Sequence, residues 1–197
     1  MSGRGERGQA MVEMGLILPM LLVLVFGVVE LGTAFNETMT LAAASREGAR
    51  VAGALVNGGG ALGCGAGQSP NAATVDPNIV AAVERVLTAS GTQISLANVA
   101  EIRLFKATST GAETSGRVNS WTYVLNGGPV VGGDPLDFVE QSNTWTACSR
   151  SNVTPADSIG ITVRYTYQAR TPLRYFVPSL QTLNLRETTV MSLNASR

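Results

Sequence analysis

Histidine is missing from the 197-residue chain, which excludes Ser-His-Asp and Cys-His nucleophile systems and every histidine metal site. Lysine is almost missing too, since 13 of the 14 basic residues are Arg and Lys106 is the exception. These charges are scattered and balanced by 14 acids to a formal net charge of zero, leaving no electrostatic footprint for nucleic acid. Charged residues make up only 14% of the chain, aromatics 6%, and there are two cysteines. With hydrophobic residues at 45%, this length suits one domain of ordinary size plus an appendage.

The appendage is an apolar run. Residues 14–29 read MGLILPMLLVLVFGVV; after Glu30 the run resumes over 31–35. Residues 10–35 approach the length a helix needs to cross roughly 30 Å of hydrocarbon. A cleaved secretory signal has a shorter apolar region of about 7–15 residues with a small-residue site close behind; here the small residues 42–45 lie too far downstream. Arg4 and Arg7 flank one end, Glu30 and Glu37 the other, so the expectation is a single span with a cytoplasmic N-terminal tail and the remainder exported. Pro19 is expected to kink the helix or loosen one turn.

Glu13 stands at the mouth of this run in the stretch RGQAMVE, residues 7–13. One reading is an interfacial acid in contact with water. The other uses its spacing: a cut after Gly8 makes Gln9 the new N-terminus and Glu13 the fifth residue, so the fresh ammonium of one subunit can pair with the Glu13 carboxylate of a neighbour in a helical assembly.

That arrangement resembles prepilins and the site cut by a prepilin peptidase. Over residues 7–54, RGQAMVEMGLILPMLLVLVFGVVELG and then AAASREGARVAG, the chain resembles the TadE-like family, the pseudopilins or minor pilins of tight-adherence (Tad, or Flp-type) pilus systems. The resemblance implies Gly8 and Gln9 as the flanks of the cut and Glu13 as the fifth-position acid. It departs from the family where an aromatic residue usually follows the acid and Met14 stands instead.

After Phe35 the pattern stays helical, giving one helix over about residues 9–55, roughly 70 Å at the standard rise. Ala44, Gly48 and Ala52 recur four apart on one face, where a neighbouring backbone can approach closely; they are the candidate packing face toward other subunits. Arg46 and Arg50, with Glu47 in reach of Arg50, read as a solvated face with a local ion pair. The helix ends in NGGGALGCGAGQSPN, residues 57–71. Its G-x-G-x-x-G match at 58–63 follows a helix rather than a strand, which argues against dinucleotide binding. Cys64 and Cys148 both fall on the exported side, an oxidising compartment, and a bridge closing about 85 residues would stabilise the fold by roughly 4 kcal/mol; two unpaired buried thiols are the alternative.

From residue 76 the chain reads as α+β. Asp76 suits an N-cap and Pro77 the first helical position, ahead of an apolar stripe at Ile79, Val80, Val83, Val86 and Leu87 that Gly91 ends. Ala100, Ile102 and Leu104 alternate with polar residues, as do Trp121, Tyr123 and Leu125. Ile159, Ile161, Val163, Tyr165 and Tyr167 share one face of the clearest strand, and Leu183, Leu185, Met191 and Leu193 are in phase in the last. About four antiparallel strands are expected against the long helix and the shorter one, consistent with a pilin-like architecture. Asp134 and Asp137 match no EF-hand spacing and read as a solvated turn. Residues 169–180, ARTPLRYFVPSL, read as a cover over the sheet edge or as a partner-binding or membrane-proximal surface. Asn36, Asn152 and Asn194 begin N-x-[ST] sequons.

The expected organisation is a leader (1–8), a spanning and extended helix (9–56), a Gly-rich connection (57–75) and an exported α+β domain (76–197). No catalytic constellation, metal set, cofactor or small-molecule substrate is expected. The expected partners are the lipid bilayer, other pilin-like subunits and a prepilin peptidase, at the bacterial inner membrane or within a pilus. A single-pass anchored binding module that never polymerises is the alternative.

Overall fold

The computed structural model describes residues 5–55, 72–152, 154–178 and 181–193, with backbone alone for 5–8 and 176. Helix α1, Gly5–Ala54, is unbroken and accommodates Pro19, which removes one main-chain donor. It begins at Gly5 rather than Gln9 and so takes in the end of the expected leader. Two compact units divide the chain: residues 1–36 with 167–183, and 37–166 with 184–197.

The sheet is antiparallel and has five strands, one more than expected. They are β1 (Val99–Ala107), β2 (Glu113–Tyr123), β5 (Phe138–Asn143), β6 (Ser158–Gln168) and β7 (Thr182–Ser192), in the order β5-β2-β1-β6-β7. The strand not foreseen is β5, whose FVEQSN has a single buried anchor in Phe138 and is held to β2 by its register, Tyr123 opposite Phe138. Its periodicity is too short to read. A two-stranded ribbon, β3 (Val130–Val131) with β4 (Asp134–Pro135), stands apart.

The residues expected inward on β6, and on β1 past its start, are buried, and the opposite face of β6 is covered as well at Gly160 and Thr162. Ile159, Ile161, Val163 and Tyr165 are buried along β6, as are Ile102 and Leu104 on β1. At the start of β1 a bulge between Val99 and Glu101 shifts the register against β6, so Val99 turns inward and Ala100 faces out, against the expected phase. Leu125, expected inside, lies beyond β2 and is 65% exposed. In β7 Leu183 and Leu185 are half-buried, and Met191 is exposed. Gly160 is required where it stands: the Phe105 ring lies across it, and a side chain there would run into the ring.

The second helix also departs from expectation. Helix α2, Ala72–Leu87, starts a turn before Asp76 and carries Pro77 inside it; Asp76 is therefore no cap but a buried member of an ion pair. Ile79, Val80, Val83 and Leu87 are fully buried, as the stripe requires. Residues 56–71, including Cys64 and the Gly-rich match, lie outside the described residues, and residues 72–75 are helical rather than connecting loop.

Candidate functional site

Helix α1 presents the candidate processing segment first. Gly8 is helical, and Gln9, the next residue, donates through Nε2 to Glu13 Oε1 one turn on at 3.1 Å, with both side chains exposed. Gln9 and Glu13 therefore share a face, and the Glu13 carboxylate is turned to the surroundings.

The next five turns are apolar on all sides. Between Met11 and Leu31, 15 large apolar side chains are 42–76% exposed. At about 1.5 kcal/mol or more for each such side chain moved out of water, transfer to hydrocarbon is favoured by tens of kcal/mol. Among the described residues α1 is the one helix long and apolar enough to cross a membrane.

Glu30 interrupts this surface, and the structure gives it a role that sequence reading missed. Expected as a flank of the span, it is only 5% exposed. Its carboxylate accepts the Tyr167 hydroxyl and the backbone N–H groups of Arg170 and Thr171, each at 3.0 Å. Thr33 Oγ1 shares a 2.8 Å hydrogen bond with the Tyr167 hydroxyl. Helix and polypeptide turn are thus clasped by a buried acid whose oxygens are satisfied by donors of the same unit. The signal was an acid inside an otherwise apolar run; its partners, some 137 residues away, had no local trace.

The small-residue face lies in the second unit. Ala44, Gly48 and Ala52 are buried, and a Cβ placed on Gly48 would stand 2.6 Å from Val83 Cγ2 and 3.4 Å from Ile161 Cγ2. The close approach expected of a neighbouring subunit is made by α2 and β6 of the same chain. Glu47 and Arg50 form the local ion pair expected of them, at 2.6 Å.

Asp76 on α2 is held by Arg150, with Nη1 to Oδ1 at 2.6 Å and Nη2 to Oδ2 at 2.8 Å. Asn119 Nδ2 donates to Asp76 Oδ2 at 2.7 Å, and the Arg150 guanidinium lies 4.7 Å from the Trp145 ring centre. This buried knot joins α2, β2 and the segment carrying Cys148, which is disulfide-bonded. Beside it is a cavity of about 540 Å³ lined by Asp76, Trp121, Glu140, Asn143 and Cys148 among others. Burial and the neighbouring Asp76 push the Glu140 carboxyl above its ordinary range. Among the described residues no group of three acids or cysteines is placed to hold a metal. Asp137 instead accepts the Asn126 backbone N–H at 2.7 Å, and Asp134 sits at the tip of the β3–β4 ribbon. Asn152 is buried, which withdraws one sequon from the surface; Asn194 lies outside the described residues.

Residues 8–50 match the model of a family described as TadE-like protein, the family that residues 7–54 resemble. None of the curated proteins matches the chain, and none of the solved structures does.

Proposed function

We propose that this chain is a TadE-like pseudopilin or minor pilin: a structural, non-enzymatic component of a tight-adherence pilus or secretion apparatus, inserted in the bacterial inner membrane through α1. The observation that carries the reading is the coincidence of the family match with α1, whose long apolar stretch begins beside an exposed Gln9–Glu13 pair. An exposed carboxylate one turn beyond Gln9 suits pairing with the ammonium of a neighbouring subunit released after Gly8, because in hydrocarbon an unpartnered charge is costly. The leader ends at Gly8, a prepilin peptidase is the processing partner, and residues after α1 face the extracytoplasmic side.

Since Ala44, Gly48 and Ala52 are taken up inside the chain, subunit packing falls to the apolar length of α1 ahead of them. A bridge between Cys148 and Cys64, the one other cysteine, belongs to the same reading and fits an oxidising compartment. The 540 Å³ cavity beside Asp76 favours a second reading, an anchored extracytoplasmic binding module.

Mass spectrometry of the N-terminal peptide, on protein purified from membranes of a host with its own prepilin peptidase, tests the proposal. A chain beginning at Gln9 is the expected result. A chain that retains the tail through Gly8 moves the assignment to the anchored module.

A further inference from the structure

We propose that the turn at residues 170–178 is a membrane-surface anchor whose partner is the anionic phospholipid headgroup layer, with Arg174 taking phosphate and Tyr175 seating its ring at the hydrocarbon boundary. The inference rests on the membrane-spanning reading of α1.

The turn is tied to helix residue 30 by two hydrogen bonds from its own backbone, Arg170 N–H and Thr171 N–H to the Glu30 carboxylate. From residue 10 to residue 30 a helix rises about 30 Å, the thickness of one hydrocarbon core. When α1 spans, Glu30 lies at the far boundary and the turn clasped to it lies at headgroup depth. The buried clasp explains how an acid can sit there without an exposed charge.

The turn folds Leu173 inward, 5% exposed, against the small apolar cavity of about 140 Å³ that it shares with Gly27, Leu31, Ala34 and Leu183. It turns Tyr175 outward, 71% exposed. The Arg174 guanidinium lies 4.8 Å from the Tyr175 ring centre, with Nη2 donating to the Tyr175 hydroxyl at 2.8 Å and Nη1 to the Ala169 carbonyl at 3.3 Å. These contacts engage two of the five N–H donors of an arginine, and no carboxylate neutralises Arg174 among the described residues. A cation with donors to spare beside an exposed tyrosine is the pairing found at membrane interfaces, where the ring sits at headgroup level and guanidinium binds phosphate in a forked geometry.

The test uses the full chain in vesicles of phosphatidylcholine, with or without phosphatidylglycerol, and the substitution Tyr175→Trp. Trp121 and Trp145 are buried, and the unsubstituted chain sets their emission as baseline. The expected result is loss of most of the added emission when lipids carry bromine near the glycerol end of the acyl chains, less with bromine near the methyl end. This quenching should be stronger in vesicles that contain phosphatidylglycerol, and adding Arg174→Gln should abolish that difference. Added emission insensitive to bromine and open to aqueous iodide, in a chain that resists carbonate extraction, would overturn the anchor and leave the spanning helix standing. Release of the chain by carbonate would overturn both.

Discussion

Asp76 and Arg150 show what a single buried charge does in this protein. Each is almost wholly removed from solvent, so Asp76→Ala leaves an uncompensated guanidinium beside Trp145 and should cost about 3–5 kcal/mol. Denaturant unfolding of the full chain in detergent measures it. Replacing both partners with apolar residues should recover much of the loss, since no orphaned charge then remains. Two acids set a pH dependence of opposite origin. Burial, reinforced by the Asp137 carboxylate, raises Glu84 above the ordinary value near 4.5, and burial with nearby Asp76 raises Glu140 in the same way. Acids raised in the folded state hold protons more tightly there than when unfolded. The stability they contribute is present below about pH 4.5 and is lost as pH rises through the folded-state values. Glu84→Gln with Glu140→Gln should therefore raise the melting temperature at neutral pH and flatten its fall above pH 4.5, as followed by thermal melts across that range.

At the scale of elements, α1 serves two environments along one axis. Near Gly32 a Cβ meets nothing within 4 Å, whereas at Gly48 it meets Val83 at 2.6 Å. Gly48→Val should destabilise the second unit by about 1–3 kcal/mol through overpacking, while Gly32→Ala should leave the unfolding midpoint unchanged or slightly raised. The clasp at Glu30 is a contact between a helix and a distant turn, and it can be opened selectively. Glu30→Leu strips the acceptor from the Tyr167 hydroxyl and two backbone N–H groups. Hydrogen bonds to a charged group contribute about 1.5–3 kcal/mol each, so tryptic cleavage at Arg170 or Arg174 should accelerate by about tenfold or more in detergent. An unchanged cleavage rate would show that the turn is held by Leu173 packing instead.

For the whole molecule, the pseudopilin reading separates insertion from assembly. Insertion depends on the summed apolar surface of α1, to which Glu13 contributes nothing favourable. Glu13→Ala should leave carbonate-resistant membrane association intact and lower recovery of the chain in crosslinked assemblies. Equal recovery of mutant and unsubstituted chain would sink the role assigned to Glu13. Much of this protein was determined by local pattern. The apolar run, the α2 stripe and the strict alternation of β6 each repeat over enough residues for the pattern to fix the element without knowledge of neighbours, and in α2 the buried face as well. What needed tertiary structure were the features that depend on a single partner far along the chain. The one-residue bulge that turned Val99 inward depends on β6, and β5 exists by pairing with β2 rather than by its own pattern. Asp76 looked like a cap because its side chain suits one, and only Arg150, 74 residues away, made it a buried ion. Gly48 could be read as a site of close approach, but whether a second subunit or the chain's own Val83 would fill it was decided by how α2 packs. Glu30 could be read as an anomaly in the apolar run, since its charge is local information; its clasp by Tyr167, Arg170 and Thr171 came only with the fold, because hydrogen bonds across such separations leave no periodic trace in sequence.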